Sequence, residues 1–127
     1  GQLVIYFMLD VKRRETGPRA LVTLIETSII NTLQNYGLTA ELRQGAPGVY
    51  VEGKKIAALG LRIRRGCSMH GLSFNIDMDL APFSRINPCG YAGLQCTQLR
   101  ELLPQGPATL FEDAQQRLLG ELLKALL

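Results

Sequence analysis

Residues 54–79, KKIAALGLRIRRGCSMHGLSFNIDMD, decide the fold. Between residues 70 and 78, apolar side chains alternate with small or polar ones, which is typical of a strand with one buried face. Before them, Ile56 and Ile63 belong to a second run of apolar residues among polar or small neighbours. Residues 64–66, Arg-Arg-Gly, have the composition of a turn. The stretch therefore predicts a β-hairpin.

Helices and further strands are predicted on both sides of this hairpin. Pro18 fits the first position of a helix, Gly37 fits its end, and the residues between them form one apolar stripe at steps of three and four. A second long helix follows the capping-box spacing of Thr109 and Glu112. The other predicted elements are a buried strand over residues 3–9, strands over 38–43 and 48–52, and a short helix over 97–103.

This order of elements predicts an α+β fold with a mixed, mostly antiparallel sheet and packed helices. The length of 127 residues, 46% of them hydrophobic, fits a single domain with a real core, so we expect residues 1–127 to form one unit. Every apolar run is far shorter than the ~20 residues of a membrane span. A membrane protein, a collagen and a disordered chain are thereby excluded.

Basic residues are concentrated in one part of the chain. Residues 43–65 contain Arg43, Lys54, Lys55, Arg62, Arg64 and Arg65 against Glu52 alone, and their net charge is +5 in a chain of net charge +3. Such a stretch attracts acidic partners through screened Coulomb forces, although it is also compatible with a solvated strand face. It favours no class of partner by itself.

The three cysteines, Cys67, Cys89 and Cys96, are an odd number in a chain long enough to fold without staples. We therefore expect no disulfide framework and a cytoplasmic, reducing environment. Cys67 and His70 have ligand-like spacing, but the chain has no second close pair of ligands, so we predict no metal site.

Cys89 is the best candidate nucleophile, because Asn87-Pro88-Cys89-Gly90 predicts a constrained loop that displays the side chain. The alternative is a small buried hydrophobe, since unpaired cysteine is among the most buried residue types. Cys67 and Cys96 are predicted to be inert. His70 lies in the apolar alternation and is predicted to be a packed residue. No Gly-rich phosphate loop is present, so nucleotide use is not supported.

Lys54 and Lys55 open the first strand of the hairpin, where adjacent residues face opposite sides. One of them therefore points inward. Burial would lower the pKa of such a lysine toward that of a useful base, whereas its cationic form would lower the pKa of a nearby thiol. Either state would activate Cys89.

Four motifs in order carry a family resemblance. They are Ala46-Pro47-Gly48-Val49-Tyr50-Val51, Lys54-Lys55-Ile56-Ala57-Ala58-Leu59-Gly60-Leu61-Arg62-Ile63, His70-Gly71-Leu72-Ser73-Phe74-Asn75 and Asn87-Pro88-Cys89-Gly90. Together they resemble the octanoyltransferases of lipoate biosynthesis. The resemblance implies a fold like the catalytic domain of biotin and lipoate protein ligases. It also implies octanoyl transfer from octanoyl-acyl carrier protein to a lipoyl-domain lysine without a cofactor.

The resemblance also implies roles for individual residues. Cys89 matches the thioester-forming nucleophile of the family, and Lys55 matches the lysine that tunes it. The acyl pocket is matched by the backbone of two segments, Ala58-Leu59-Gly60 and Gly71-Leu72-Ser73. The implied acceptors are lipoyl domains of 2-oxoacid dehydrogenases and the glycine cleavage H protein, with no nucleic acid or membrane as partner. Arg62, Arg64 and Arg65 are then expected to steer the acidic carrier protein.

One departure from the family concerns the start of the chain. The family has an Arg-Gly-Gly region and a histidine upstream of a Gly-Pro-Gly-Gln motif, and Gly1-Gln2 matches only the end of that motif. We therefore expect an N-terminally truncated chain, equivalent to the C-terminal part of the catalytic domain, with impaired activity or a tendency to aggregate. Two alternatives stay open: a ligase or amidotransferase of the same fold, and a non-catalytic module that binds an acidic partner.

Overall fold

The computed structural model describes residues 1–10, 18–64, 67–77 and 96–126, with side chains described except at 7–10, 18–19, 46–47, 61–64 and 67–70. Its strands are β1 (Gln2–Asp10), β2 (Glu41–Arg43), β3 (Ala46–Val51), β4 (Lys54–Arg64) and β5 (Cys67–Asn75). Its helices are α1 (Pro18–Asn35), α2 (Leu99–Leu102) and α3 (Leu110–Leu126).

The five strands form one antiparallel sheet in the order β1-β5-β4-β3-β2. β4 and β5 pair from Ala57 opposite Phe74 to Arg64 opposite Cys67, so the predicted hairpin is confirmed. β1 adds to the other edge of β5, from Gln2 opposite Asn75 to Asp10 opposite Cys67. The predicted fold class, a mostly antiparallel sheet with packed helices, is confirmed.

One face of the sheet, here called the inner face, packs against the helices. Leu72 and Phe74 of β5 are 1% and 0% exposed and are core residues, as their alternation predicts. They meet residues of α1 and α3 in a single hydrophobic cluster. The cluster residues from α1 and α3 are Leu21, Ile25, Ile29, Leu33, Leu110, Ala114, Leu118 and Leu122, and α2 adds Leu99.

The opposite face of β1, β5 and β4, the outer face, carries small residues. Ala58 is opposite Ser73, and Gly60 is opposite Gly71, so these residues form two cross-strand pairs. β1 adds Val4 beside Ser73 and Tyr6 beside Gly71. Val4 and Tyr6 are 46% and 70% exposed. The strip of small residues on the outer face, Ala58, Gly60, Gly71 and Ser73, is here called the lane. The side chains of Val4 and Tyr6 lie along its β1 side.

The boundaries of α1 follow from local chemistry. The helix begins at Pro18, as predicted. It ends before Gly37, whose φ of +77° is the left-handed conformation that favours glycine, and the Leu38 amide donates to the Leu33 carbonyl at 3.0 Å. Residue 38 belongs to this cap, and β2 begins only at Glu41, so it is shorter than the predicted strand over 38–43.

Two further elements begin close to their predicted positions. α3 begins at Leu110, immediately after Thr109. The predicted helix over 97–103 is reduced to Leu99–Leu102, because the amide of Thr97 pairs with β4 instead. None of the helices in the described parts of the chain is long and apolar enough to cross a membrane.

Candidate active site

Lys55 lies near the start of β4, where its backbone pairs with that of Tyr50. Its side chain passes over Gly48: a Cβ added to Gly48 would lie 2.6 Å from Cε of Lys55 and 2.6 Å from the carbonyl oxygen of Ala57. Gly48 also has a φ of +122°, which L side chains rarely adopt. The Lys55 side chain can therefore pass over residue 48 only because that residue is glycine and has no side chain.

Partial burial makes the charged form of the Lys55 amine less favourable than it is in water. The residue is partly buried, and this burial lowers the pKa of the amine below its usual range. Lys54, its neighbour in the chain, is exposed. The predicted contrast between an inward and a solvated lysine is confirmed for this pair. A lysine with such a lowered pKa exchanges its proton with a nucleophile more readily than a fully exposed lysine does.

The backbone of Lys55 also pairs with the part of the chain that begins at Cys96. Cys96 forms a parallel bridge with Lys55, and the Thr97 amide donates to the Lys55 carbonyl at 2.8 Å. The Thr97 carbonyl in turn accepts from the side-chain amide of Asn75 at 3.2 Å, while Asn75 accepts from Gln2 at 2.9 Å. The end of β5 and the segment that begins at Cys96 therefore meet beside Lys55.

A second set of contacts joins the same two parts of the chain. Arg100 donates from Nε and Nη2 to Oδ2 of Asp77 at 3.2 and 3.0 Å. Its backbone amide donates to the Ile76 carbonyl at 2.8 Å. The guanidinium group also donates to the carbonyls of Gly106 at 2.7 Å and Pro107 at 2.6 Å. Arg100 thus ties the two residues that follow β5 to the connection between α2 and α3.

The predicted acyl-pocket residues divide between the two faces of the sheet. Ala58, Gly60, Gly71 and Ser73 lie on the outer face. The side chain of Leu72 is buried in the core, and that of Leu59 packs against it, so these two contribute backbone alone to the lane. The ring of Tyr6 lies over Gly71, where an added Cβ would be 3.1 Å from two ring carbons.

The predicted nucleophile, Cys89, lies outside the described residues, as does the loop over 87–90. The side chains of Cys67 and His70 are also outside the described set, so the prediction that they are inert and packed stays a prediction. Cys96 is disulfide-bonded, a bond that the predicted absence of a disulfide framework did not foresee. The odd cysteine count excludes a fully paired set and does not exclude one bond.

Several residues around Lys55 were not identified from the sequence. Asn75 and Asp77 were visible as polar residues in an alternating strand, but nothing indicated their partners. Thr97 and Arg100 carry no local signal, because their partners Asn75 and Asp77 are 22 and 23 residues away in the sequence. Gly48 has a signal in principle, since a glycine between Pro47 and a buried strand often marks close backbone approach.

Comparison with known protein families agrees with this arrangement. The family described as lipoyl protein ligase A/B catalytic domain matches residues 1–123. The chain belongs to this family. The resemblance inferred from its four motifs is thereby confirmed at the level of the family.

Curated relatives within the family are named octanoyltransferase. The protein of Ectopseudomonas mendocina is 58% identical over 118 residues, which are 93% of this chain and 57% of the relative. That of Vibrio atlanticus is 55% identical over 126 residues, covering 99% of this chain and 56% of the relative. That of Shewanella oneidensis is 60% identical over 116 residues, covering 91% and 52%. The chain spans about half the length of these relatives.

Solved structures confirm the fold alone, because their sequences are distant. A biotin protein ligase from Aquifex aeolicus superposes with a TM-score of 0.76 at 17% identity, covering 99% of this chain and 53% of the ligase. A lipoate-protein ligase A bound with ATP superposes with a TM-score of 0.69 at 12% identity, covering 98% and 51%. The predicted likeness to biotin and lipoate ligases is confirmed.

Proposed function

We propose that this chain is the thioester-forming part of an octanoyltransferase of lipoate biosynthesis. Relatives at 55–60% identity carry that name and support the reaction class. The observation that carries the proposal is the position of Lys55: partly buried, with a lowered pKa, and hydrogen-bonded through its backbone to the chain that follows the Cys89 segment. We further propose that residues 1–127 form a single domain, the C-terminal part of the ligase-like catalytic domain.

The proposed reaction has two balanced steps. First, Lys55 takes the proton of the Cys89 thiol, and the thiolate attacks the thioester carbonyl of octanoyl-acyl carrier protein. A new S–C bond forms, the bond to the carrier sulfur breaks, and that thiolate leaves with the proton from Lys55. Second, the amine of a lipoyl-domain lysine attacks the Cys89 thioester. An amide forms, the amine loses a proton, and the Cys89 thiol is restored.

The outer face of the sheet supplies a surface suited to the octanoyl chain. Gly60 has open space above its backbone, and its small neighbours Ala58 and Ser73 extend that surface, whereas the ring of Tyr6 covers Gly71 and closes one end of it. Lys55 lies in the same strand as Ala58 and Gly60. We propose that the acyl chain lies along this lane with its thioester toward Lys55.

The proposed donor is octanoyl-acyl carrier protein. The proposed acceptors are lipoyl domains of 2-oxoacid dehydrogenases and the glycine cleavage H protein, in the cytoplasm. Thiolate chemistry of this kind needs no cofactor, since the donor thioester already carries the activation energy. The charge of the basic stretch over 43–65 supports an acidic donor protein.

Intact-protein mass spectrometry tests the proposal directly. The reduced chain is incubated with octanoyl-acyl carrier protein, and an adduct of one octanoyl group that hydroxylamine removes is expected. Cys89→Ser is expected to give no such adduct, whereas the matched control Cys67→Ser acylates at the parent rate. An adduct that persists in Cys89→Ser would remove Cys89 from the reaction.

A second arm of the experiment separates transfer from ligation. Free octanoate with ATP and Mg²⁺ replaces the carrier protein, and no acylation of the chain or of a lipoyl domain is expected. Acylation that depends on ATP would favour a ligase of the same fold. If a chain shown to be folded is acylated neither by octanoyl-acyl carrier protein nor by octanoate with ATP, the proposed activity is contradicted for these 127 residues.

A further inference from the structure

The segment that carries Cys89 leaves the described structure after Asp77 and re-enters it at Cys96. The contacts at these two ends form a group that we call the stem clamp, defined by Asn75 with Thr97 and by Asp77 with Arg100. Each pair joins the outgoing chain at the end of β5 to the returning chain. The clamp is therefore built across the base of one segment.

We propose that Arg100 is a positioning residue for the thiol transfer, because its ion pair with Asp77 fixes the base of the Cys89 segment against Lys55. This inference rests on the proposed function and deepens it, since it concerns how the nucleophile and Lys55 are brought together.

Arg100 is more buried and makes more hydrogen bonds than an arginine in an ordinary surface ion pair. Its side chain is only 24% exposed, and it makes four hydrogen bonds to three residues. Two of these reach backbone carbonyls at Gly106 and Pro107, which hold the guanidinium plane in one orientation toward Asp77. A lysine has the charge but not the fork needed to satisfy all these acceptors.

The outgoing end of the segment is held from the other side as well. The amides of Ile76 and Asp77 donate to the Gly1 carbonyl at 3.3 and 3.1 Å. The carboxylate of Asp77 therefore projects from a backbone that is already hydrogen-bonded to Gly1, the residue before β1. With Asp77 held in this way, the ion pair with Arg100 limits how far the returning chain can shift along β4.

Arg100 lies only three residues after Thr97, whose amide donates to the Lys55 carbonyl. Leu99, between them, is 0% exposed and is held in the core. Movement of Arg100 would therefore be transmitted to the backbone of Lys55. Small displacements matter for such a pair, because a shift of ~1 Å between reacting groups costs about 100-fold in rate.

Alkylation kinetics test the proposal on the full chain after reduction. The rate at which iodoacetamide modifies Cys89 is followed by peptide mass spectrometry from pH 5 to 10 in the parent, Arg100→Ala, Arg100→Lys and Asp77→Ala. We expect each variant to move the midpoint of the Cys89 profile to higher pH and to slow octanoyl-adduct formation by about 10-fold to 100-fold. Asp77→Ala combined with Arg100→Ala is expected to be no worse than the poorer single variant, because both remove the same interaction.

Arg117→Ala is the matched control. Arg117 also donates to one aspartate oxygen, that of Asp113 at 2.9 Å, but on α3, so its loss is expected to lower stability without moving the Cys89 profile. An unchanged profile in Arg100→Ala, with a reactive Cys89 in the parent, would overturn the inference and leave the proposed function intact. A parent in which Cys89 reacts no faster than Cys67 would instead overturn the proposed function.

Discussion

Gly48 and Lys55 are coupled by direct contact, so Gly48 is the residue whose substitution is most informative about the lysine. Gly48→Ala places a methyl group 2.6 Å from Cε of Lys55 and from the Ala57 carbonyl. We expect loss of octanoyl-adduct formation together with a lower free energy of unfolding, measured by denaturant titration. Gly45→Ala is the control, because Gly45 also has a positive φ, +78°, but has no atom within 4 Å of the added Cβ. It is expected to cost about 1 kcal/mol of backbone strain and to leave adduct formation unchanged.

Lys55 itself is expected to make the stability depend on pH. Burial lowers the pKa of its amine below its usual value of 10.5, so the unfolded state binds more protons than the native state between the two pKa values. The cost of burying the charge is therefore full below the folded pKa and disappears above 10.5. Lys55→Met is expected to raise stability at neutral pH, with a gain that shrinks as the pH rises, while abolishing acylation.

The exposed neighbour provides the comparison for this substitution. Lys54→Met is expected to leave both stability and acylation close to the parent values. A Lys55→Met variant that is less stable at every pH would mean that the contacts of the lysine outweigh the cost of its burial.

The disulfide at Cys96 has a partner that the sheet register restricts. Cys96 bridges Lys55, whereas Cys67 pairs with Arg64, nine residues farther along β4. That separation is ~30 Å in an extended strand, and a disulfide joins Cα atoms no more than ~7 Å apart. Non-reducing peptide mapping is therefore expected to find Cys96 linked to a peptide other than that of Cys67. A link between Cys96 and Cys67 within one chain would contradict the register.

At the scale of the elements, α1 and α3 are joined by a polar group at the edge of their apolar contact. The hydroxyl of Tyr36 donates to Asp113, which also accepts from Arg117 at 2.9 Å. The guanidinium of Arg117 lies 4.9 Å from the centre of the Tyr36 ring. This group fixes how the end of α1 sits against the start of α3.

Both acidic members of this group make stability depend on pH, in opposite directions. Hydrogen bonds from Tyr36 and Arg117 lower the pKa of Asp113, so its contribution is present above the usual value of 3.8 and is lost as the pH falls through the folded value. Burial and the bond to Asp113 raise the pKa of Tyr36, so its contribution is present below 10.0 and is lost at more alkaline pH. We expect the greatest effect of the group between these limits.

Tyr36→Phe tests this helix contact. The variant keeps the ring and removes the hydroxyl, so it is expected to cost about 1 kcal/mol near neutral pH and to flatten the acid limb of the stability profile. Thermal unfolding followed by circular dichroism from pH 2 to 8 gives both quantities. An acid limb that remains as steep as in the parent would assign the acid sensitivity to other carboxylates.

For the whole molecule, charge is unevenly distributed. The stretch over 43–65 carries a net charge of +5, and Arg43 and Lys54 within it are exposed. Reversing Arg62, Arg64 and Arg65 to glutamate is expected to slow acylation by an acidic carrier protein mainly at low salt, because screening weakens long-range attraction. Lys124→Glu, at a lysine whose side chain is 78% exposed on α3, is the control. Salt-independent rates in the triple variant would separate this stretch from donor binding.

Much of the architecture was determined by local sequence. The alternation around Leu72 and Phe74 decided which face of β5 is buried, because a strand has only two faces and burial of apolar area fixes the choice. Pro18 and Gly37 decided the bounds of α1 through their backbone restrictions. The contrast between Lys54 and Lys55 followed from the same alternation.

The tertiary structure alone decided which distant residues meet at Lys55. Thr97 reaches its carbonyl and Arg100 reaches Asp77 across 42 and 23 positions of sequence, and no local pattern encodes such pairings. They arise because the end of β5 and the segment before α2 come together beside the start of β4, where buried Leu99 holds the returning chain. The path of the Lys55 side chain over Gly48 is likewise set by the register of β3 on β4. Sequence periodicity specified the strands and helices, and the packing of the helices on the sheet specified the site between them.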